Sequence, residues 1–170
     1  MEKEGTKKVD ITGMNDKRQI MVVLSVTKTG HYLPPQLIYA EKTSKSLPKV
    51  EFPSGWCVTC TDNHWANEYT TLQYLDEILL PYVKQKRMEL GHPDDQACLV
   101  IFDRFMAQYT ATVLGVLEEN NILVSLVLAN CTDRLQPLDV SVNKSVKEFL
   151  HGQFHEWYAA EVSLQLHSGS

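Results

Sequence analysis

The chain has 170 residues, the size of one domain, with 44% hydrophobic and 22% charged residues, which excludes global disorder. Sixteen basic against 21 acidic residues give a net charge of −5. That excludes a broad basic coat for nucleic acid but leaves room for a small positive groove.

The first 16 residues are polar, with a short alternating piece at Lys8 to Thr12, and they lack the apolar core of a signal peptide. Lys17 to Thr27 is rich in Val, Ile and Leu and reads as a buried strand, closed by a turn at Thr29-Gly30. Leu37 to Ala40 reads as its hairpin partner, entered through Pro34 and Pro35, which suit an edge or an irregular start. A Lys-, Ser- and Pro-containing loop at 41–55 leads to a short third strand at Trp56 to Thr61.

Asn67 then N-caps a helix, and Glu68 favours the positive end of its dipole. Leu72, Leu75, Ile78, Leu79, Tyr82 and Val83 recur at helical spacing, Pro81 should kink the helix, and Gly91 with Pro93 stops it. Cys98 to Phe102 is a fully apolar strand followed at once by Asp103. Thr110 to Glu119 predicts a helix with Val113, Leu114 and Leu117 on one side, and Ile122 to Ala129 another buried strand. After the polar loop NCTDRLQPLD, a last helix is expected from Pro137 or Leu138 to about Leu166, with Val142, Val146, Phe149 and Leu150 as its apolar stripe. The order β-β-β-α-β-α-β-α predicts one mixed sheet with a central parallel part and helices on its faces. The longest apolar stretch, Ile122 to Ala129, is too short to span a bilayer, so no membrane partner is expected. Four cysteines in 170 residues are too sparse for a disulfide scaffold and point to a reducing, intracellular setting.

Ligands of open α/β sheets lie beyond the carboxyl ends of parallel strands. Asp103 sits at such an end, and Asp139 follows the loop from the next strand. Two carboxylates brought together there repel each other, and a hard divalent cation with oxygen ligands relieves that repulsion. The simpler alternatives are a solvated strand end for Asp103 and a helix-start carboxylate for Asp139. Cys57-x-x-Cys60 with His64 has metal-like spacing but no second ligand pair, and strand residues three apart point to opposite faces. His151 and His155 share a helix face and read as solvated; Phe154, Trp157 and Tyr158 read as core, with an exposed partner patch as the alternative. Lys42, Lys45 and Lys49 form a loop cluster that could follow a phosphate backbone.

The chain resembles the catalytic domain of DDE-superfamily transposases of the Tigger, pogo and jerky type. The segments that carry the resemblance are DKRQI at 16–20, LPPQLIY at 33–39, LPKVEFP at 47–53, NHWAN at 63–67, ILLPYV at 78–83, LVIFDRF at 99–105 and NCTDRLQPLDVSVNKSVKEFL at 130–150. It implies an α/β domain of the ribonuclease-H-like class, with a mixed sheet, helices on both faces and two metal ions held by three acids that cut and join DNA. Asp103 resembles the second acid and Asp139 the third, 139 − 103 = 36 positions apart. Asp133 competes with Asp139 in the same loop and is read as a supporting residue. Arg134, Gln136, Asn143, Lys144 and Lys147 flank this pair and are the candidate nucleic-acid contacts.

The family's first acid lies on a strand before the part matched here, so the first strand is expected to be missing, and Met106 stands where a small, polar or cationic residue is usual. The expected layout is a polar segment at 1–16, the DDE domain at 17–166 and a tail at 167–170. By resemblance the cofactor is Mg²⁺ or Mn²⁺, the partner DNA and the location the nucleus. A second copy or a partner chain would cover the exposed sheet edge. The product is expected to be a transposon-derived domain, inactive alone, or a DNA- or protein-interaction module that keeps the fold without the chemistry.

Overall fold

The computed structural model describes residues 20–103, 109–126 and 143–168. They form a mixed α/β body with two sheets. In the first, β1 (Ile20–Val23) pairs antiparallel with β2 (Gln36–Ala40), and β2 pairs parallel with β3 (Cys57–Thr61). In the second, β4 (Cys98–Phe102) and β5 (Ile122–Leu126) run parallel, with Cys98 opposite Ile122 and Phe102 opposite Leu126. The helices are α1 (Glu68–Tyr74), a π-helical turn at Leu75–Leu79, α2 (Leu80–Glu89), α3 (Ala111–Glu119) and α4 (Asn143–Ser168).

The single sheet expected from the element order is thus divided between β1 and β4. No strand among the described residues bonds the second edge of either one. What joins the halves is a shared core. Leu33, just before β2, and Cys57 of β3 meet Leu75, Ile78, Leu79 and Val83 from the helix, and Val113, Leu117 and Ile122 close the far side. Tyr74 crosses the layer, donating its hydroxyl to Ser25 Oγ at 2.7 Å.

Local chemistry accounts for the element ends. Asn67 caps α1 reciprocally: Thr70 N donates to Asn67 Oδ1 and Asn67 N to Thr70 Oγ1, each at 2.9 Å. Thr110 caps α3 by accepting from Val113 N at 3.3 Å. Helix α2 ends in a Schellman motif. His92 N donates to Arg87 O at 2.8 Å and Gly91 N to Met88 O at 3.1 Å, with Gly91 at φ +65°, where a side chain would be strained. Pro81 does not break the helix. The turn before it widens, with Leu80 N reaching back five residues to Leu75 O, and Pro81 sits in the first turn of α2, where its missing N–H costs least.

Three strands expected to be buried are half-exposed. Ile20 and Val22 on β1 face solvent, and β4 alternates, with Leu99 62% and Ile101 57% exposed beside Leu123 of β5 at 61%. Among the described residues, helices cover the inner face of the β4–β5 pair, where Cys98, Val100, Phe102 and Val124 pack. Leu114 is also partly exposed, while Val113 and Leu117 are fully buried. The expected strand residues 127–129 and the expected helix start at 137–142 lie outside the described residues. No described helix is long and apolar enough to cross a membrane.

Candidate active site

The parallel β4–β5 pair has one pinned end and one open end. At the amino ends, buried Arg87 reaches from α2 into both approaches: Nε donates to Gln96 O and a terminal nitrogen to Asn120 O, each at 2.8 Å. Cys98 N donates to Asn121 O at 3.1 Å, and Asn121 takes φ +53°, a left-handed conformation that asparagine tolerates. Arg87 continues the i+4 series Leu75, Leu79, Val83 into the core. That periodicity is the signal that could have picked it out of KQKRMEL, a stretch that otherwise reads as solvated charge.

At the carboxyl ends, Asp103 follows Phe102 directly and is exposed, so a strand fixes its backbone while its carboxylate meets solvent. Tyr109 donates its hydroxyl to Asp103 O at 3.4 Å. Because Phe102 pairs with Leu126, the chain that leads to Asp139 leaves beside Asp103, and Asp139 lies 139 − 126 = 13 positions beyond that exit. Asp139, Asp133, Arg134, Gln136 and Met106 lie outside the described residues. Asn143, Lys144 and Lys147 open α4, and Lys144 Nζ lies 3.9 Å from Glu148 Oε1 in an exposed pair. Among the described residues, no three His, Cys, Asp or Glu side chains converge into a metal-binding group. An exposed carboxylate at a strand end is a suitable hard oxygen donor for a divalent cation, and Asp103 supplies one.

The remaining chemistry-bearing residues have other surroundings. Cys57 is buried and accepts from Gln36 Nε2 at 3.4 Å. Burial and the neighbouring Glu77 push its thiol up to about 11, against the opposing pull of Gln36, so it stays protonated and unreactive. Cys60 is half-buried, and His64 takes φ +58° with its ring tilted 33° to that of exposed Trp65, centroids 5.2 Å apart. His151 and His155 lie side by side on α4, exposed, with centroids 6.5 Å apart. Phe154 and Trp157, expected in the core, are exposed. Lys42, Lys45 and Lys49 are exposed on the loop after β2.

No solved structure matches the chain. A human protein named "Pogo transposable element with KRAB domain" is 26% identical over 161 residues, covering 94% of this chain and 25% of its own length, and the mouse protein of that name matches to the same extent. A human "Pogo transposable element with ZNF domain" is 33% identical over 58 residues, 34% of this chain and 4% of its own length. The chain therefore spans about a quarter of the first two relatives. Residues 17–168 match the family described as DDE superfamily endonuclease. With Asp103 at the open end of a parallel strand pair and nearly all of its length inside that match, the chain belongs to the DDE superfamily endonucleases, on their pogo-type, transposase-derived branch.

Proposed function

We propose that the chain is a ribonuclease-H-like DNA-binding domain, descended from a cut-and-join transposase, that acts in the nucleus and does not cut DNA by itself. The observation that carries this reading is the placement of Asp103 at the carboxyl end of β4, beside the exit of the segment that holds Asp139. Asp103 and Asp139 are the residues that would hold Mg²⁺ or Mn²⁺. When bound, such ions supply positive charge to the attacking and leaving oxygens of phosphoryl transfer. Asp103 and Asp139 would supply two of the three acids that the family resemblance implies.

The protein's own contribution is positioning. Strand β4 fixes the Asp103 backbone, and Lys144 and Lys147, with Asn143, Arg134 and Gln136, provide phosphate contacts on the rim. So few cations give weak binding, with a shallow salt slope set by the few phosphates they neutralise.

The test combines binding and cleavage on a labelled duplex with Mg²⁺ or Mn²⁺. Binding should weaken with salt, and the Lys144→Ala, Lys147→Ala pair should lower the slope of log affinity against log salt by about 2, from two lost phosphate contacts. Metal-dependent nicking that disappears in Asp103→Asn would overturn the claim of inactivity. No salt-dependent binding at all would overturn the DNA assignment.

A further inference from the structure

The β2–β3 pair has a carboxyl end of its own, with a different chemistry from that of β4–β5. The two strands run parallel, with Ala40 opposite Thr61, and Glu41 N donates to Thr61 O at 3.0 Å, so both chains leave the sheet side by side. One exit is basic. Lys42 and Lys45 are exposed there, and a short turn orders the stretch, with Ser46 N donating to Thr43 O at 3.1 Å and the Thr43 and Ser46 hydroxyls 3.3 Å apart. The other exit is aromatic. Trp65 is 53% exposed, and the His64 ring lies against it.

Polar groups brace this aromatic pair. Thr61 Oγ1 donates to Trp65 O at 3.1 Å, and Trp65 N donates to Asn63 Oδ1 at 3.2 Å. His64 N donates to Thr61 O at 3.4 Å, and His64 keeps a left-handed backbone that costs free energy in any residue but glycine. The chain around the pair is polar, with Asp62, Asn63 and Asn67 all exposed. Such a loop displays a ring plane rather than a continuous apolar patch.

We propose that this end of the first sheet takes unpaired DNA, with a base stacking on Trp65 beside His64 and the adjoining phosphates meeting Lys42 and Lys45. It rests on the DNA reading above and adds the strand state and the residues that grip it. Single strands are held by aromatic rings set next to cations, because every base has a stacking face and every link a phosphate. A protein partner would call for contiguous apolar area, which the polar surroundings of Trp65 do not provide. A duplex keeps its bases stacked on one another and offers the ring no open face. Glu41 and Asp62 stand at the same end and offset the two lysines, so stacking carries more of the affinity than charge.

The experiment measures binding of a short labelled oligothymidylate and of a duplex of equal length to the full chain and its variants. Trp65→Ala should weaken oligonucleotide binding roughly 10-fold and leave duplex binding unchanged, while Trp65→Phe, which keeps a ring, should lose less. Lys42→Ala with Lys45→Ala should lower the slope of log affinity against log salt by about 1.4, since each phosphate on a single strand contributes about 0.7. Circular dichroism checks folding, and Trp65→Leu, apolar but without a ring, replaces Trp65→Ala if that variant is not folded. A parent that binds duplex and ignores the oligonucleotide overturns this proposal alone, and the aromatic pair is then a protein contact. A parent that binds neither overturns the DNA reading as well. A Trp65→Ala loss below 2-fold, or an equal loss on both probes, overturns the stacking site.

Discussion

Replacing Arg87 by methionine keeps the buried stem and removes the guanidinium, which isolates the clamp at the amino ends of β4 and β5. The perturbation deletes two hydrogen bonds of 2.8 Å, to Gln96 O and Asn120 O. Hydrogen bonds from a charged donor contribute about 1.5–3 kcal/mol each, and the desolvation of a buried charge is recovered when that charge is removed, so a net loss of about 2–3 kcal/mol is expected. With a urea slope of roughly 2 kcal/mol per molar, the unfolding midpoint should fall by about 1–1.5 M. Arg87→Lys should lose about half as much, because one ammonium serves two carbonyls on separate turns less well than a fork does.

A second readout separates this account from general loosening. Burial raises the Cys98 thiol and Arg87 pulls it down, so Arg87→Met should push it further up and slow its alkylation at fixed pH. Loosening would speed alkylation. A midpoint shift below about 0.3 M, or faster alkylation of Cys98, would refute the clamp.

Two further outcomes follow from the core and the caps. The Cys57 thiol stands at about 11 against 9.0 in the unfolded chain, so the folded state holds the proton more tightly. Its contribution is complete below pH 9 and is lost as pH rises from about 9 to 11, which urea titrations across that window should show; a Cys57→Ala variant should flatten the decline. Asn67→Ala removes the side-chain half of the α1 cap and should cost about 1 kcal/mol, read from the thermal midpoint, with Asn67→Asp nearly neutral.

Much of the local structure was legible because it rests on chemistry that acts over a few residues. Asn67, Thr110 and Gly91 mark helix ends, since capping oxygens and a left-handed glycine are requirements of the helix itself. The strands at Cys98 and Ile122 were legible as elements, but their burial was not. A run such as CLVIF is apolar on both faces, and only the presence or absence of a covering layer decides which face stays dry. The same holds for Phe154 and Trp157, read as core and found exposed. The division of the sheet depends on long-range pairing, which the element order does not encode. Arg87 was overlooked because its charge hid its place in the buried i+4 series. The place of Asp103 at a strand end was legible from the apolar run before it, whereas Asp139 lies outside the described residues.

The widened turn at Leu75–Leu79 also bears on how this helix can vary. Every fourth residue of a regular α-helix drifts about 40° around the axis, so a core stripe read from Leu75 through Leu79 and Val83 to Arg87 should wind off the core. One turn that holds an extra residue resets part of that phase just before Pro81, and Arg87 still arrives at the β4–β5 junction. The distance in residues between the first sheet and the Arg87 clamp is therefore set by angle as well as by length. Substitutions along this helix can be absorbed one at a time, but a single deletion or insertion within it would turn Arg87 away from both carbonyls and unpin the amino ends of β4 and β5.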